Sequence, residues 1–201
     1  MQDIEFHSTF SSPRQSSSKL GLCSLHTENV ELSPHFELHE FTESATARKY
    51  GIDNTPPPEA VKNLRALCVH TLEPLREALG LPVIITSGYR CKALNNKLAH
   101  SSEHSQHMLG CAADFYISSA GFMFQVSSFK SGPSRRELLI KAFRTIILDE
   151  SIDYDQLILY PNFIHVSYAS RERNRRGILI GQRNGKLGYG RITQSNALKI
   201  E

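Results

Sequence analysis

The stretch Ser105-Gln106-His107-Met108-Leu109-Gly110-Cys111-Ala112-Ala113-Asp114, approached through Ser87-Gly88-Tyr89-Arg90, decides how the chain is read. It sets an imidazole and a carboxylate seven residues apart, with small residues between them. That is a metal-site pattern. A catalytic zinc usually takes three protein ligands from His, Asp, Glu and Cys and keeps a fourth position open for water. His107 offers a neutral imidazole and Asp114 an anionic oxygen. Gly110 allows a sharp turn, because glycine reaches φ > 0 without steric cost. Ala112 precedes Asp114 by two, so on a strand the two share a face and the methyl leaves room beside a metal. Two ligands do not hold zinc, and the best third is His165. It lies in Phe163-Ile164-His165-Val166-Ser167-Tyr168, a β-branched and aromatic run that reads as a strand. The chain has nine His, and any one of them is more often a surface or satisfied core residue than a ligand.

A length of 201 residues suits one domain with tails. Hydrophobic residues at 40% and charged residues at 21% are ordinary for a globular chain. The net charge of +3 is compatible with anionic polymers such as cell wall or nucleic acid and selects neither. Cys23, Cys68, Cys91 and Cys111 form no C-x-x-C pair, which argues against a zinc ribbon or a disulfide scaffold and for free thiols. Residues 1–18 show no apolar signal-peptide core, and no run approaches a membrane span. The expectation is therefore a cytoplasmic protein without stable membrane insertion, unless another route releases it. Oligomeric state is not readable.

Three regions are expected: a mobile Ser-rich extension at 1–31, a domain at 32–176, and a basic tail with a hairpin at 177–201. Within the domain, Glu43 to Tyr50 reads as a short helix stopped by Gly51. The run Val61, Leu64, Leu67, Cys68, Leu72, Leu75 and Leu79 gives a long helix, led in by Pro56-Pro57-Pro58, kinked at Pro74 and ended by Gly80. Pro82 to Ser87 reads as a buried strand that delivers Tyr89 and Arg90, and Ala93 to Ala99 as a short helix. His100 to Gln106 is polar and irregular, which suits a site loop. Ala112 to Ile117 is the strand carrying Asp114, while Ser118 to Gly132 resists assignment. Ser134-Arg135-Arg136-Glu137 is a capping box that opens a helix through Ile147. Gln156 to Tyr160 and Phe163 to Tyr168 form a hairpin turning at Pro161-Asn162. The Arg171 to Arg176 run reads as a solvated or wall-facing surface rather than a nucleic-acid site, and Asn184-Gly185 signals a turn.

Ser87-Gly88-Tyr89-Arg90, the spacing Ser105-x-His107-x-x-Gly110-x-Ala112-x-Asp114, Asp155-Gln156-Leu157-Ile158 and His165-Val166-Ser167 resemble the zinc D-Ala-D-Ala carboxypeptidase family. That family includes phage L-alanyl-D-glutamate endolysins and shares a core with Hedgehog domains. The resemblance runs from about Leu32 to Arg176. It implies an α+β fold whose antiparallel sheet carries zinc on one face, with helices packed on the other. It makes His107, Asp114 and His165 the zinc ligands, and Arg90 the guanidinium that pairs with a substrate carboxylate. Ser105 takes the place of the motif's serine, as a loop-fixing residue. The implied function is hydrolysis of peptidoglycan peptide bonds, with muropeptides as partners and no nucleic acid.

The chain departs from the pattern at the general base. Catalytic members place Glu or Asp three residues before the last His ligand, and here that position is Asn162, whose amide orients water without accepting its proton. Tyr160 stands where some relatives place an oxyanion-stabilising His, and can donate a hydrogen bond. Glu103 and His104 on the site loop are candidates for a substitute base. Asp155 points away from the metal if the hairpin loop is even, which puts Ile158 opposite His165. Asn162 also motivates an alternative: a catalytically silent, zinc-containing wall-binding or phage-derived structural module. A third reading is a Hedgehog-like domain that holds zinc for stability alone.

Overall fold

Polar caps and glycine stops divide the chain into short elements. The computed structural model describes residues 30–99, 101–120, 132–181 and 189–200. A small hairpin, β1 (Glu31–Ser33) and β2 (Phe36–Glu37), leads into α1 (Leu38–Thr42), which starts on a capping box between Glu37 and Glu40. In α2 (Ala45–Tyr50) the Ser44 hydroxyl accepts from the Ala47 N–H, and Gly51 ends the helix in a left-handed cap. Pro58 opens α3 (Pro58–Leu67) at a position where its missing N–H costs nothing.

The long helix expected from the leucine spacing is divided. After α3 comes a π-helical turn, Cys68–Leu72, and then α4 (Glu73–Leu79), closed by Gly80. Pro74 is the cause we assign. It has no N–H for the His70 carbonyl four residues back, and that carbonyl instead accepts the Asp153 N–H at 3.0 Å. The buried Thr71 hydroxyl donates to the Asp153 carbonyl at 2.5 Å. The expected kink is thus a widened turn that staples a distant loop.

β3 (Val83–Ser87), α5 (Lys92–Lys97) and a 3-10 turn at Gln106–Leu109 precede β4 (Ala112–Ile117). The Ser134–Glu137 capping box then opens α6 (Arg135–Leu148). β5 (Gln156–Leu159), β6 (Ile164–Ser167), β7 (Gly177–Gly181), β8 (Tyr189–Arg191) and α7 (Gln194–Ala197) complete the order. Six strands form one sheet in the order β3-β4-β6-β5-β7-β8. Every pair is antiparallel except β5 with β7, so the expected antiparallel sheet is mixed.

The sheet is two-sided in its chemistry. Phe115, Leu157, Leu159, Ile164 and Val166 share a core with Leu139, Phe143 and Ile146 of α6 and with Leu64 and Leu75 of α3 and α4. Alternation then sends Asp114, Ile158 and His165 to the opposite face. The class is α+β, as the resemblance implies. The stretch expected as a C-terminal tail contributes β7 and β8 to this sheet, and Ala197 of α7 is fully buried in the core. The Asn184-Gly185 turn, the expected mobile extension up to Asn29 and most of Ser118 to Gly132 lie outside the described residues. No helix among the described residues is long and apolar enough to cross a membrane.

Candidate metal centre

Sheet register places two of the three expected ligands. Asp114 on β4 and His165 on β6 are direct Cα partners, so their side chains rise together from one face. His107 comes from the 3-10 turn, which Gly110 closes at φ 71°. A side chain there would be strained and would also collide with the Ala60 carbonyl. The turn is pinned to the end of β3: the Arg90 N–H donates to the His107 carbonyl at 3.2 Å, and His107 Nδ1 bonds the Gly88 carbonyl at 2.6 Å.

That second bond selects a tautomer. With Nδ1–H donating to Gly88, the His107 Nε2 lone pair faces inward. Nε2 lies 3.3 Å from Asp114 Oδ1 and 3.2 Å from His165 Nδ1, and His165 Nδ1 lies 2.8 Å from the same Oδ1. The three ligand atoms all sit within 4.8 Å of one another. Asp114 Oδ2 accepts from Arg90 Nη2 at 2.8 Å, and Arg90 Nε donates to the Ser87 hydroxyl at 3.0 Å. Burial alone would raise the Asp114 carboxyl, but the imidazoles of His107 and His165 outweigh it and hold the group well below the usual carboxylate range. Burial pushes the His107 imidazole down, against the pull of Asp114. The site therefore presents an ionised carboxylate and a neutral imidazole, the ligand forms of both groups. Two nitrogens and one oxygen converging in this way fit a zinc-class divalent ion.

The cluster opens into a cleft of about 750 Å³. Arg90, Ser105 and Tyr160 all line it. Ser105 caps the 3-10 turn without a side-chain cap bond, and the loop is held by backbone bonds, including Met108 N–H to the Ser105 carbonyl at 3.0 Å. The Tyr160 ring stacks on Phe163, with centroids 4.4 Å apart. Asn162 is exposed in the β5–β6 turn and does not line the cleft, and neither does Glu103. His104 does. Asp114 is the only carboxylate among the described lining residues.

The hairpin has the even register, with Ile158 opposite His165 and the Tyr160 N–H donating to the Phe163 carbonyl at 3.0 Å. Asp155 is nearly fully buried and engaged elsewhere. It accepts from Gln106 Nε2 at 2.9 Å and from the Arg175 backbone N–H and Nε, each at 2.8 Å. The basic run is correspondingly less free than its composition suggests, since Arg171 pairs with Asp153 and Arg175 with Asp155. The even hairpin puts Gln156 on the His165 face, and Gln156 lines the cleft. Sequence reading missed Arg175 and Leu179 as cleft residues, and Arg175 carries no local signal.

A model of the Peptidase M15 family matches residues 34–147, more than half of the chain. The matched span contains Arg90, His107 and Asp114 and ends before His165. No curated protein matches the chain. His165 is nonetheless brought to Asp114 by strand pairing, so the geometry completes a cluster that could hold a metal ion and that the matched span only begins. On this match the chain belongs to the Peptidase M15 family.

Proposed function

We propose that this protein is a zinc-dependent peptidase of peptidoglycan, cleaving a stem-peptide bond beside a D-amino acid in the manner of D-Ala-D-Ala carboxypeptidases or L-alanyl-D-glutamate endolysins. The observation that carries the reading is the convergence of His107 Nε2, Asp114 Oδ1 and His165 Nδ1 in a cleft that Arg90 also lines. Zinc held by these residues would supply Lewis acidity at the scissile carbonyl and lower the pKa of the attacking water.

The chain's own residues do the rest. Gly88 fixes the His107 tautomer, and Arg90 orients Asp114 through Oδ2. The planar Arg90 fork suits a substrate carboxylate. The Tyr160 ring stacks on Phe163 and lines the cleft, which supports a role for its hydroxyl as a donor to the developing oxyanion. Asn162 faces solvent outside the cleft, so its amide says little about proton transfer at the metal. Outside the ligand cluster, His104 is the one imidazole among the described lining residues, and an imidazole is the side chain best suited to take up a proton near neutral pH.

Purified, zinc-loaded protein incubated with muropeptides and followed by mass spectrometry tests the reading. The expected result is fragments from wild type and none from His107→Ala, with fragment masses naming the bond. No cleavage by wild type, or equal cleavage by both, overturns it. Wall binding without turnover would instead assign the silent module.

A further inference from the structure

The cleft floor is a single cross-strand row. Asp114 on β4 is registered with His165 on β6, His165 with Ile158 on β5, and Ile158 with Leu179 on β7. All four line the cleft. Three strand spacings of about 4.8 Å make a floor of roughly 14 Å, enough for about four extended residues. Arg90 stands at the Asp114 end. On the β5–β7 side stands Arg175, which also lines the cleft and lies outside the span matched by the family model.

Arg175 is held firmly. Its Nε and Nη2 donate to the two Asp155 oxygens at 2.8 and 2.5 Å, and Asp155 is only 2% exposed. The same carboxylate accepts the Gln106 side chain, one residue before His107, so Arg175 and the turn bearing His107 share an anchor. A guanidinium has five N–H donors in one plane, and this two-point pairing occupies one edge. The other edge is directed away from Asp155, and the Arg175 side chain is 58% exposed. Asp155 is buried beneath its partners, so the pair leaves donors rather than an open acceptor accessible; Arg175 lines this cleft and also a neighbouring concavity with Arg176 and Arg191. The neighbouring basic residues are not equivalent: Arg171 and Arg176 pair with Asp153 and do not line the cleft.

We infer that Arg175 is a second anion-recognising residue of the cleft, so that the preferred substrate is a peptide carrying a carboxylate on the β5–β7 side of the ligand cluster, in addition to the group that Arg90 takes. As a statement about hydrolysis this rests on the peptidase reading. As a statement about recognition it does not.

The test uses the zinc-loaded full chain and two stem peptides that differ at one place, a free carboxylate beside the terminal one in the first and a carboxamide in the second. Wild type is expected to favour the acid roughly tenfold in kcat/KM, the worth of one hydrogen bond to a charged group. Arg175→Gln should bring the ratio of acid to amide close to one, and Arg175→Lys should leave it between the two. Pairing Arg175→Gln with Asp155→Asn removes the buried charge that the single variant leaves with only the neutral Gln106 and Arg175 backbone donors, and should give the same ratio. A wild-type ratio of one, or an equal loss on both peptides in Arg175→Gln, overturns the inference. If wild type cleaves neither peptide, the peptidase reading fails, and calorimetric affinities for the same pair decide this one: equal affinities overturn it.

Discussion

Gly110 carries two constraints at once, a left-handed φ of 71° and the nearby Ala60 carbonyl. Gly110→Ala is expected to destabilise the protein by about 1–3 kcal/mol and to displace the turn that carries His107. Urea unfolding together with a zinc-binding titration would show both losses, and an unchanged zinc affinity would contradict the role given to the turn. Asp155 supplies a pH prediction. Burial would raise its carboxyl, but bonds from Arg175 and Gln106 outweigh that and lower it below the ordinary value. The unfolded chain therefore takes up the proton first. The stabilisation is fully present above the unfolded value of about 3.9 and is lost as pH falls through the lower folded value. In metal-free protein, the stability gap between wild type and Asp155→Asn should narrow from pH 7 to pH 3, as read from urea midpoints. A constant gap would exclude the linkage.

Among the elements, the π-helical turn makes the clearest claim. Thr71 is fully buried and its hydroxyl satisfies the Asp153 carbonyl, so Thr71→Val should cost about 1–3 kcal/mol while leaving zinc binding intact. Thermal melting of the two proteins, with and without zinc, separates these effects. Elements were legible wherever the signal was local. Gly51 stops α2, Ser134 and Glu137 open α6, and the strand read over Ala112 to Ile117 matches β4 residue for residue. The turn at Cys68–Leu72 was less legible: Pro74 announces a missing donor, but Asp153, which takes the orphaned His70 carbonyl, is far away in sequence. The candidate ligands His107 and Asp114 are readable from their types and spacing, and His165 from the strand that carries it. Their convergence required knowing that β4 pairs with β6.

The whole molecule depends on its C-terminal part more than composition suggests. β7 pairs in parallel with β5, an arrangement with no turn signal to betray it, and Ile178 and Ala197 are buried in the common core. A chain ending at Arg176 should therefore lose cooperative unfolding and zinc binding together, and a folded, zinc-competent truncation seen by circular dichroism would refute this. The same pairing explains why Arg175 read as surface. Its partner Asp155 is brought beside it by the sheet rather than by the neighbouring sequence.

Asp114 divides its two oxygens between two tasks, Oδ1 toward the imidazoles and Oδ2 toward Arg90. An ion held by the first and a carboxylate bound by Arg90 would thus bear on one shared group, and their binding free energies are coupled through it. Reciprocity then fixes a relation between two measurements. Whatever factor a saturating acidic peptide applies to the zinc dissociation constant, saturating zinc must apply to that of the peptide. Two titrations yielding the same factor, and a factor of one after Arg90→Gln, would make Asp114 the point at which metal occupancy and substrate recognition exchange free energy.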